Sequence, residues 1–536
     1  MSIRERIGKE RLYFDGGSGT MLQAMGLAPG ELPETWNLTH PKEVRRLHAM
    51  YFEAGSDIVL TNTFGLNGLK YDNVEEIAEA AVSHVRAAAE PFEKAGRTCY
   101  CAFDIGPCGH LLKPLGDLDF EDAVALFARN VKAAVKAGAD LIVVETMNDL
   151  YEAKAAVLAA KENSDLPVFL TTVYDASCHL MTGATPETVV AMAEGLGVDA
   201  IGANCSLGPQ EMLDHVVPRL LACAHVPLII KPNAGLPRVT GGKTVYDVDE
   251  ETFAGIMEKI AKLGVPTLGG CCGTTPDYLR LVKERTCSLP VTQQKAEERT
   301  VITSYTNALD LVSGPVLIGG RIDPSVNEEL KEALDDGDTS LIEDEAFDQQ
   351  DEEVQALKVC TASVQGDEAA LLAQAVSEIQ SVMDLPLQIS ASEPEAMERA
   401  LRVYNGHPLA GPVRADEQTL NAAFPLIRKY GGVLIVRTAD VQTARSVVSK
   451  AAAFGIRPAD LLFEPETDPV CEAALACIAA LHENGYGTCL DMTGDLSRQP
   501  DADWFLDALE RGLNCVILDP LSGDLADAAR EACDRI

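Results

Sequence analysis

The sequence contains few aromatic and few basic residues. Aromatic side chains account for 5% of the 536 residues, and 44 Lys and Arg stand against 82 Asp and Glu, so that the formal net charge is −38. A surface of this sign repels phosphate backbones, and we therefore expect no nucleic acid partner. The acidic excess is otherwise typical of a soluble protein.

Long apolar runs are missing as well. No run reaches the roughly 20 residues that a membrane helix needs, and Met1–Arg6 does not lead into the apolar stretch of a signal peptide. We therefore expect a cytoplasmic protein with no membrane partner. In that compartment the 15 cysteines are expected to be reduced thiols. Most would be small core residues, and the question is which of them act as ligands.

Short apolar runs of strand length alternate with amphipathic helical patterns in the first part of the chain. Eight such runs occur within about 280 residues, which is the repeat of a closed (β/α)8 barrel. Near-continuous apolar strands predict a parallel sheet that is covered on both faces. An open doubly wound sheet is the alternative, but the turn Gly16–Gly19 lacks the spacing of a dinucleotide-binding loop.

The alternation lapses after Cys287 and then resumes. The polar residues Gln293–Lys295 and Glu297–Arg299 lie in the interval, and eight further apolar runs follow between Val316 and Asp519. The sequence therefore predicts an α/β fold of two tandem (β/α)8 TIM barrels. We place the first barrel at residues 1–295, a linker at 296–314 and the second barrel at 315–536.

Polar residues recur where the predicted strands of the first barrel end. The carboxyl ends of all eight strands meet at one face of a barrel, which is the catalytic face in enzymes of this fold. The residues at these ends are Asp15, Asn62, Asp104, Glu145, Asn204, Cys205, Asn233, Cys271 and Cys272. Each alone could be a turn or capping residue, but their recurrence from strand to strand predicts a site.

Three of these residues are cysteines. In a barrel, Cys205 ends the sixth strand, and Cys271 and Cys272 end the eighth, so the three thiols could converge on one ion. Zinc prefers sulfur ligands and tetrahedral geometry, and three protein ligands leave a fourth position open for a substrate. Unrelated thiols or a disulfide are the alternatives, but a disulfide between adjacent cysteines is strained. The pattern favours a zinc site that activates a substrate thiol.

The remaining strand-end residues suit a thiol that is also an amino acid. The carboxylates of Asp15 and Glu145 could hold an ammonium group. The turn from Gly17 to Thr20 could offer backbone N–H groups to a carboxylate, particularly if a helix starts near Thr20.

The first half of the chain resembles the homocysteine S-methyltransferase family. The resemblance rests on six segments in the family's order: Phe14–Thr20, Leu60–Gly65, Asp104–Pro107, Asn204–Pro209, Pro232–Gly235 and Gly269–Thr274. It implies homocysteine as the substrate and Zn²⁺ on Cys205, Cys271 and Cys272. It further implies that Asp15 and Glu145 lie near the amino group of homocysteine, and that Gly16, Gly19 and Thr20 lie near its carboxylate.

The second half resembles the methyltetrahydrofolate barrel that accompanies the first in cobalamin-dependent methionine synthases. Segments Ile318–Pro324 and Lys429–Val436 carry this likeness. The side chains that would bind the pterin are replaced at five places: Lys358–Cys360 stands for Asp-x-Asn, and Ser390, Gly411, Glu464 and Gly494 stand for Asp, Asn, Asp and Asn. We therefore expect a degenerate pterin-binding-like barrel, assign no folate-binding residue and do not expect methyltetrahydrofolate to bind.

The resemblance leaves the methyl donor open. The sequence lacks the Asp-x-His-x-x-Gly motif of a cobalamin-binding region, so methylcobalamin is expected on a separate corrinoid protein that acts as a partner. The chain could also be a fragment of a longer enzyme. One alternative is a homocysteine methyltransferase that uses a sulfonium or betaine-type donor. Another is a non-catalytic scaffold that docks a corrinoid protein.

Overall fold

The chain folds into two units. Our computed structural model describes residues 1–240, 243–292, 296–494 and 496–535. One unit comprises Met1–Glu194 and Val198–Glu297, and the other comprises Glu298–Ile536 together with Gly195–Gly197. Each unit is built on eight parallel strands with helices between them. The predicted pair of (β/α)8 barrels is therefore confirmed.

The strands of the first barrel are short and almost completely buried. They are β1 (Leu12–Tyr13), β2 (Ile58–Leu60), β3 (Tyr100–Ile105), β4 (Leu141–Met147), β5 (Val168–Thr172), β6 (Ala200–Asn204), β7 (Leu228–Lys231) and β10 (Thr267–Leu268). Between β7 and β10 in the chain, β8 (Pro237–Thr240) and β9 (Lys243–Tyr246) form an antiparallel hairpin outside the barrel. The order around the sheet is β1-β10-β7-β6-β5-β4-β3-β2, and a parallel bridge between Phe14 and Ile58 joins its two ends.

Helices surround these strands. They span Ile3–Arg6, Ser18–Ala24, Trp36–Thr39, Pro41–Ala54, Val74–Lys94, Phe120–Ala137, Leu150–Asn163, Pro186–Gly195, Pro209–Glu211, Val217–Cys223, Glu250–Lys262 and Pro276–Thr286, with a 3-10 turn at Pro33–Thr35 and a π-helical turn at Met212–Val216. The helix Phe120–Ala137 illustrates why they form: Phe120, Val124, Phe127 and Val131 recur at helical spacing and are buried. It ends at Gly138, whose φ of 85° stops the helix in the left-handed region.

The second unit is a closed barrel. Its strands are β11 (Val301–Thr303), β12 (Ala308–Asp310), β13 (Val316–Ile322), β14 (Ala356–Cys360), β15 (Leu387–Ser390), β16 (Leu409–Arg414), β17 (Val433–Thr438), β18 (Leu461–Pro465), β19 (Gly487–Asp491) and β20 (Cys515–Leu518). Strands β13 to β20 pair in sequence order, and β20 pairs with β13. The helices span Glu328–Asp335, Ser340–Asp351, Glu368–Val382, Pro394–Val403, Glu417–Tyr430, Val441–Ala453, Glu472–Glu483, Ala502–Glu510 and Asp524–Asp534, with a 3-10 turn at Pro458–Asp460.

The segment 296–314 is more than a linker. Strands β11 and β12 form an antiparallel hairpin, and Ile302 and Leu311 are fully buried in the core of the second barrel. Because these two apolar side chains pack among the barrel strands, the hairpin is a structural element of the second unit. The expected boundary between 295 and 296 falls at Lys295, which lies outside the described residues. Within the described ranges, no helix is both long and apolar enough to cross a membrane.

Candidate metal and substrate site

Three thiols meet at the carboxyl end of the first barrel. Cys205 directly follows β6, and Cys271 and Cys272 follow β10, with only β7 between these two strands in the sheet. The Sγ atoms of Cys205 and Cys272 are 3.8 Å apart, and all three Sγ atoms lie within 4.8 Å of one another. The described residues include all 15 cysteines, and none of them forms a disulfide. The predicted convergence of the three thiols is thus present in the structure.

The turn after β1 positions the cysteine loop. The amide of Gly17 donates to the Thr274 carbonyl, and Thr20 Oγ1 accepts from the amide of Gly273 at 3.1 Å. A Cβ at Gly17 would lie 2.8 Å from the carbonyl oxygen of Cys271, and one at Gly16 would lie 2.6 Å from Thr274 Oγ1. Glycine is required at both positions because the two loops approach backbone to backbone. Thr20 therefore supports the cysteine loop, whereas Gly19 is exposed with open space around it.

Asn204 connects the thiols to β4. Its side-chain amide donates to Cys271 Sγ at 3.8 Å and to Thr146 Oγ1 at 2.8 Å. Its Oδ1 accepts from the Thr146 amide and from Thr171 Oγ1. Thr146 and Cys205 have φ angles of 61° and 60°, a region that non-glycine residues rarely adopt. These hydrogen bonds maintain a strained backbone at the site, which is where such strain concentrates in proteins.

Asn233 lies two residues after the end of β7, the strand between those that lead to Cys205 and to the cysteine pair. After the larger effects of Cys271 and Cys272, its side chain makes a smaller contribution to lowering the pKa of Cys205. Hydrogen bonds from Cys271 and Cys272 are the larger cause, and together these groups bring the pKa of Cys205 to about 3. The same contacts with Cys205 raise the pKa of Cys272 to about 11. Cys205 is therefore the most acidic of the three thiols.

A buried cluster of three acids, Asp15, Asp104 and Glu145, lies with Lys231 at the same barrel end. Lys231 Nζ is 2.5 Å from Glu145 Oε2 and 4.7 Å from the centre of the Phe14 ring. Burial alone would lower the pKa of Lys231, but Glu145 and Asp15 outweigh it and raise that pKa. Glu145 is thus already neutralised by a cation of the chain.

Asp15 and Asp104 are the acids of this cluster that retain unused acceptor atoms. Asp15 Oδ2 accepts from the amide of Leu60 at 2.9 Å. Among the described residues, neither Asp15 Oδ1 nor Asp104 Oδ1 has a hydrogen-bond partner, and both atoms are buried. Burial raises the pKa of Asp15 to about 7, although Lys231 opposes the shift. Burial, reinforced by Glu145, raises the pKa of Asp104 well above its ordinary range. Each of these two buried carboxyl oxygens can therefore accept a hydrogen bond from a ligand.

Asn62, the remaining strand-end residue, supports a neighbouring loop. Its side chain donates to the Pro33 carbonyl at 2.7 Å, and its own carbonyl accepts from Asn37. This loop carries Glu34, a buried carboxylate that accepts from Tyr71 Oη and from the amide of Gly65. Lys231 and Glu34 were not predicted from the sequence. A lysine at the end of an otherwise apolar strand was a signal for the first, whereas Glu34 lies in a turn with no distinguishing pattern.

Four of the five positions where the second half departs from a folate barrel line one cavity. They are Lys358, within β14, and Ser390, Glu464 and Gly494, at or just after the carboxyl ends of β15, β18 and β19. Lys358 Nζ lies 3.0 Å from Asp323 and 2.9 Å from Asp491.

A family model described as homocysteine S-methyltransferase matches residues 12–286, which is just over half of the chain. The chain belongs to the homocysteine S-methyltransferase family. The matched range contains every site residue assigned above in the first barrel. A second model, described as the CO dehydrogenase/acetyl-CoA synthase delta subunit, matches residues 322–482 in the second barrel.

Curated relatives carry both halves of this family member within longer chains. It is 26% identical over 478 residues to a methionine synthase of Mycobacterium leprae, covering 84% of this chain and 40% of the relative. It is 28% identical over 451 residues to a methionine synthase of Mycobacterium tuberculosis, covering 80% of this chain and 38% of the relative. The chain therefore spans about two fifths of the length of these relatives. Among solved structures, the homocysteine methyltransferase MmuM from Escherichia coli in its apo form is 25% identical, with a TM-score of 0.42, over 52% of this chain and 96% of that one.

Proposed function

We propose that this chain transfers a methyl group to the thiol of homocysteine, giving methionine, and that zinc held by Cys205, Cys271 and Cys272 takes part. The convergence of the three thiols carries the proposal. Zinc–sulfur bonds of about 2.3 Å in a tetrahedron place neighbouring sulfurs about 3.8 Å apart, and Cys205 Sγ lies 3.8 Å from Cys272 Sγ. Three sulfurs fit zinc and leave its fourth position for a substrate.

Bound zinc would supply the deprotonation of a substrate thiol, which is otherwise largely protonated near neutral pH. The chain's own residues would orient the substrate and the ligands. Asn204 donates to Cys271, and Asn233 contacts Cys205, so both asparagines hold sulfur ligands in place. In the reaction, the sulfur of homocysteine loses its proton and forms a bond to the methyl carbon, while the bond from that carbon to the donor breaks.

The amino group of homocysteine is assigned to Asp15, with Asp104 beside it and Glu145 acting through Lys231. The buried, unpartnered Oδ1 atoms of Asp15 and Asp104 support this assignment, since an ammonium group would supply their missing donors. Glu145 is expected to act through Lys231 rather than by a direct contact, because Lys231 occupies its carboxylate. The carboxylate stays assigned to the turn of Gly16, Gly19 and Thr20, where the helix Ser18–Ala24 begins.

The methyl donor is proposed to be methylcobalamin on a separate corrinoid protein. The similarity to methionine synthases supports that choice over a sulfonium or betaine donor. Methyltetrahydrofolate is not proposed as a ligand, since Lys358 and its two aspartate partners occupy a position where a pterin contact is expected.

The test combines metal analysis with methyl transfer. Purified protein is assayed for bound zinc and for methionine formation from homocysteine with a methylated corrinoid protein, free methylcobalamin, S-methylmethionine, glycine betaine or methyltetrahydrofolate as donor. Cys272→Ala should lower zinc binding and methyl transfer by about 100-fold or more because the site loses one of three ligands. Cys287→Ala, at an exposed cysteine outside the site, is the matched control.

Each outcome has a distinct meaning. Methyl transfer only from corrinoid donors supports the proposal. Transfer from S-methylmethionine or betaine would show that the proposed donor is wrong, while homocysteine would remain the methyl acceptor. Homocysteine binding that survives chelation of zinc, or transfer that Cys272→Ala leaves unchanged, contradicts the zinc-dependent mechanism. A protein that binds a corrinoid protein but never turns over with any donor would favour the scaffold alternative.

A further inference from the structure

A cavity of about 530 Å³ opens at the carboxyl ends of the strands in the second barrel. This volume lies in the range of small-molecule sites, and this face of a (β/α)8 barrel is where such sites are built. Six charged residues line it: Asp323, Lys358, Arg437, Glu464, Glu466 and Asp491. Nothing in the proposed methyl transfer uses these residues, so their arrangement requires an explanation of its own.

The floor of the cavity is a satisfied ionic cluster. Lys358 is 5% exposed and lies between Asp323 and Asp491, within 3.0 Å of both carboxylates. The second oxygen of Asp323 accepts from Ser325, and that of Asp491 accepts from Thr493. The aspartates therefore have little capacity left for a ligand, while the Lys358 ammonium retains one of its three N–H donors. The floor therefore carries a net charge of −1.

On the wall of the cavity, Arg437, Glu464 and Glu466 keep hydrogen-bonding atoms that no other residue uses in the described part of the chain. Arg437 Nε donates to Glu464 Oε2 at 3.2 Å, and Glu464 is 7% exposed. Among the described residues, the two terminal nitrogens of Arg437 have no hydrogen-bond partner, and neither has Glu464 Oε1. Glu466, two residues further along, is exposed and has no ion-pair partner in the described part of the chain. A cationic fork thus lies beside Glu464 and lines the same cavity as Glu466, and both carboxylates have unused acceptors.

The charges limit what can bind. Four carboxylates against one lysine and one arginine give the lining a net charge of −2, so a simple anion would be repelled even though the arginine fork suits a carboxylate. A simple cation would leave that fork without a partner. A molecule that carries both a carboxylate and an ammonium group can pair with the arginine and with the glutamates at the same time. We propose that this cavity binds a small amino-acid-type zwitterion, with its carboxylate on Arg437 and its ammonium between Glu464 and Glu466. This inference does not depend on the proposed function of the first barrel.

Calorimetric titration of the full chain tests the proposal. The probes are glycine, L-serine and L-citrulline as zwitterions, acetate as a carboxylate alone and methylamine as an amine alone. At least one zwitterion should bind with saturation, and about tenfold or more tightly than acetate or methylamine, because each of these lacks one charge-assisted contact. Arg437→Leu should weaken binding of the zwitterion about tenfold or more.

Matched variants locate the site. Arg437→Lys keeps the charge but loses the planar fork, and it should also weaken binding, which guards against loss of folding in the leucine variant. Arg414→Leu is the control, since Arg414 ends a neighbouring strand and pairs with Asp416 through Nε in the same manner, yet it does not line the cavity. Absence of binding by all three zwitterions would overturn the proposal. So would binding that both Arg437 variants leave intact, or binding of acetate or methylamine as tight as that of the zwitterions.

Discussion

The ammonium of Lys231 lies 2.5 Å from the carboxylate of Glu145, and both side chains are buried at the carboxyl end of the first barrel. This pair joins β7 to β4 across the barrel end. It keeps a cation among several acids and so stabilises a cluster that would otherwise repel itself. The pair also leaves Asp15 and Asp104 as the acids with unused oxygens.

Removal of this cation should therefore destabilise the fold. Lys231→Met leaves Glu145 charged, buried and unpaired, and we expect a loss of about 3–5 kcal/mol in the free energy of unfolding. Urea denaturation of the metal-free protein measures it. Lys262→Met is the control because Lys262 pairs with Glu258 on the surface, where the loss should stay below about 0.5 kcal/mol. Adding Glu145→Gln to Lys231→Met should recover part of the loss; a double variant no more stable than the single one would contradict the argument.

Asp15 predicts a pH dependence of stability. Its pKa is about 7 in the folded state against an ordinary 3.8, so the folded protein keeps a proton that the unfolded chain releases. The retained proton stabilises the folded state. This stabilisation is fully present below the ordinary pKa of 3.8 and is lost as the pH rises through about 7. The difference in unfolding free energy between wild type and Asp15→Asn should fall by about 2–3 kcal/mol from pH 5 to pH 7.

A second aspartate controls for the effect of pH itself. Asp175→Asn should show a constant difference over the same range, because hydrogen bonds from the His179 amide and Ser177 hold the pKa of Asp175 below its ordinary value. Urea unfolding at each pH gives both differences. A flat difference for Asp15→Asn would mean that Asp15 is ionised in the folded state throughout.

The barrels and the thiol triad could be predicted from the sequence for a simple geometric reason. Buried parallel strands appear as apolar runs, and the eight runs expected between Val316 and Asp519 correspond to the eight strands β13 to β20. Once the strands close into a barrel, their carboxyl ends must meet, which brings Cys205 to Cys271 and Cys272. Topology alone determines that convergence.

Contacts that depend on side-chain length and direction could not be predicted. Lys231 reaches Glu145 over a separation of 86 residues, and Lys358 reaches Asp491 over 133. A lysine can reach several strand ends, and the sequence does not say which acid it meets. The hairpin of β11 and β12 was missed for another reason. Ile302 and Leu311 lie in apolar runs of only two residues, Val301–Ile302 and Leu311–Val312, which are too short to predict a strand. Their burial becomes evident only when the barrel core is present.

Asn204 predicts an effect on metal affinity. Because it donates to Cys271 Sγ and is anchored to Thr146, Asn204→Ala should weaken zinc binding about 10–100-fold, the usual cost of removing a residue that orients a ligand. Competition with a chromophoric chelator measures the affinity. Asn163→Ala, which removes a helix-end side chain bonded to the Ala159 carbonyl, is the control. Equal zinc affinity in both variants would make Asn204 a structural residue only.

Gly273 and Gly138 form a matched pair for the last prediction. Their φ angles are 82° and 85°, so alanine at either position costs about 1–2 kcal/mol for a left-handed backbone. At Gly138 the new Cβ meets open space, whereas at Gly273 it would lie 2.4 Å from the Tyr246 ring and 3.0 Å from Ala234 Cβ. Gly273→Ala should therefore lose more stability than Gly138→Ala, or relieve the overlap by shifting the loop that carries Cys271 and Cys272. In either case zinc affinity should fall in Gly273→Ala alone. Equal unfolding free energies and equal zinc affinities in the two variants would show that the packing of Tyr246 on Gly273 does not position the thiols.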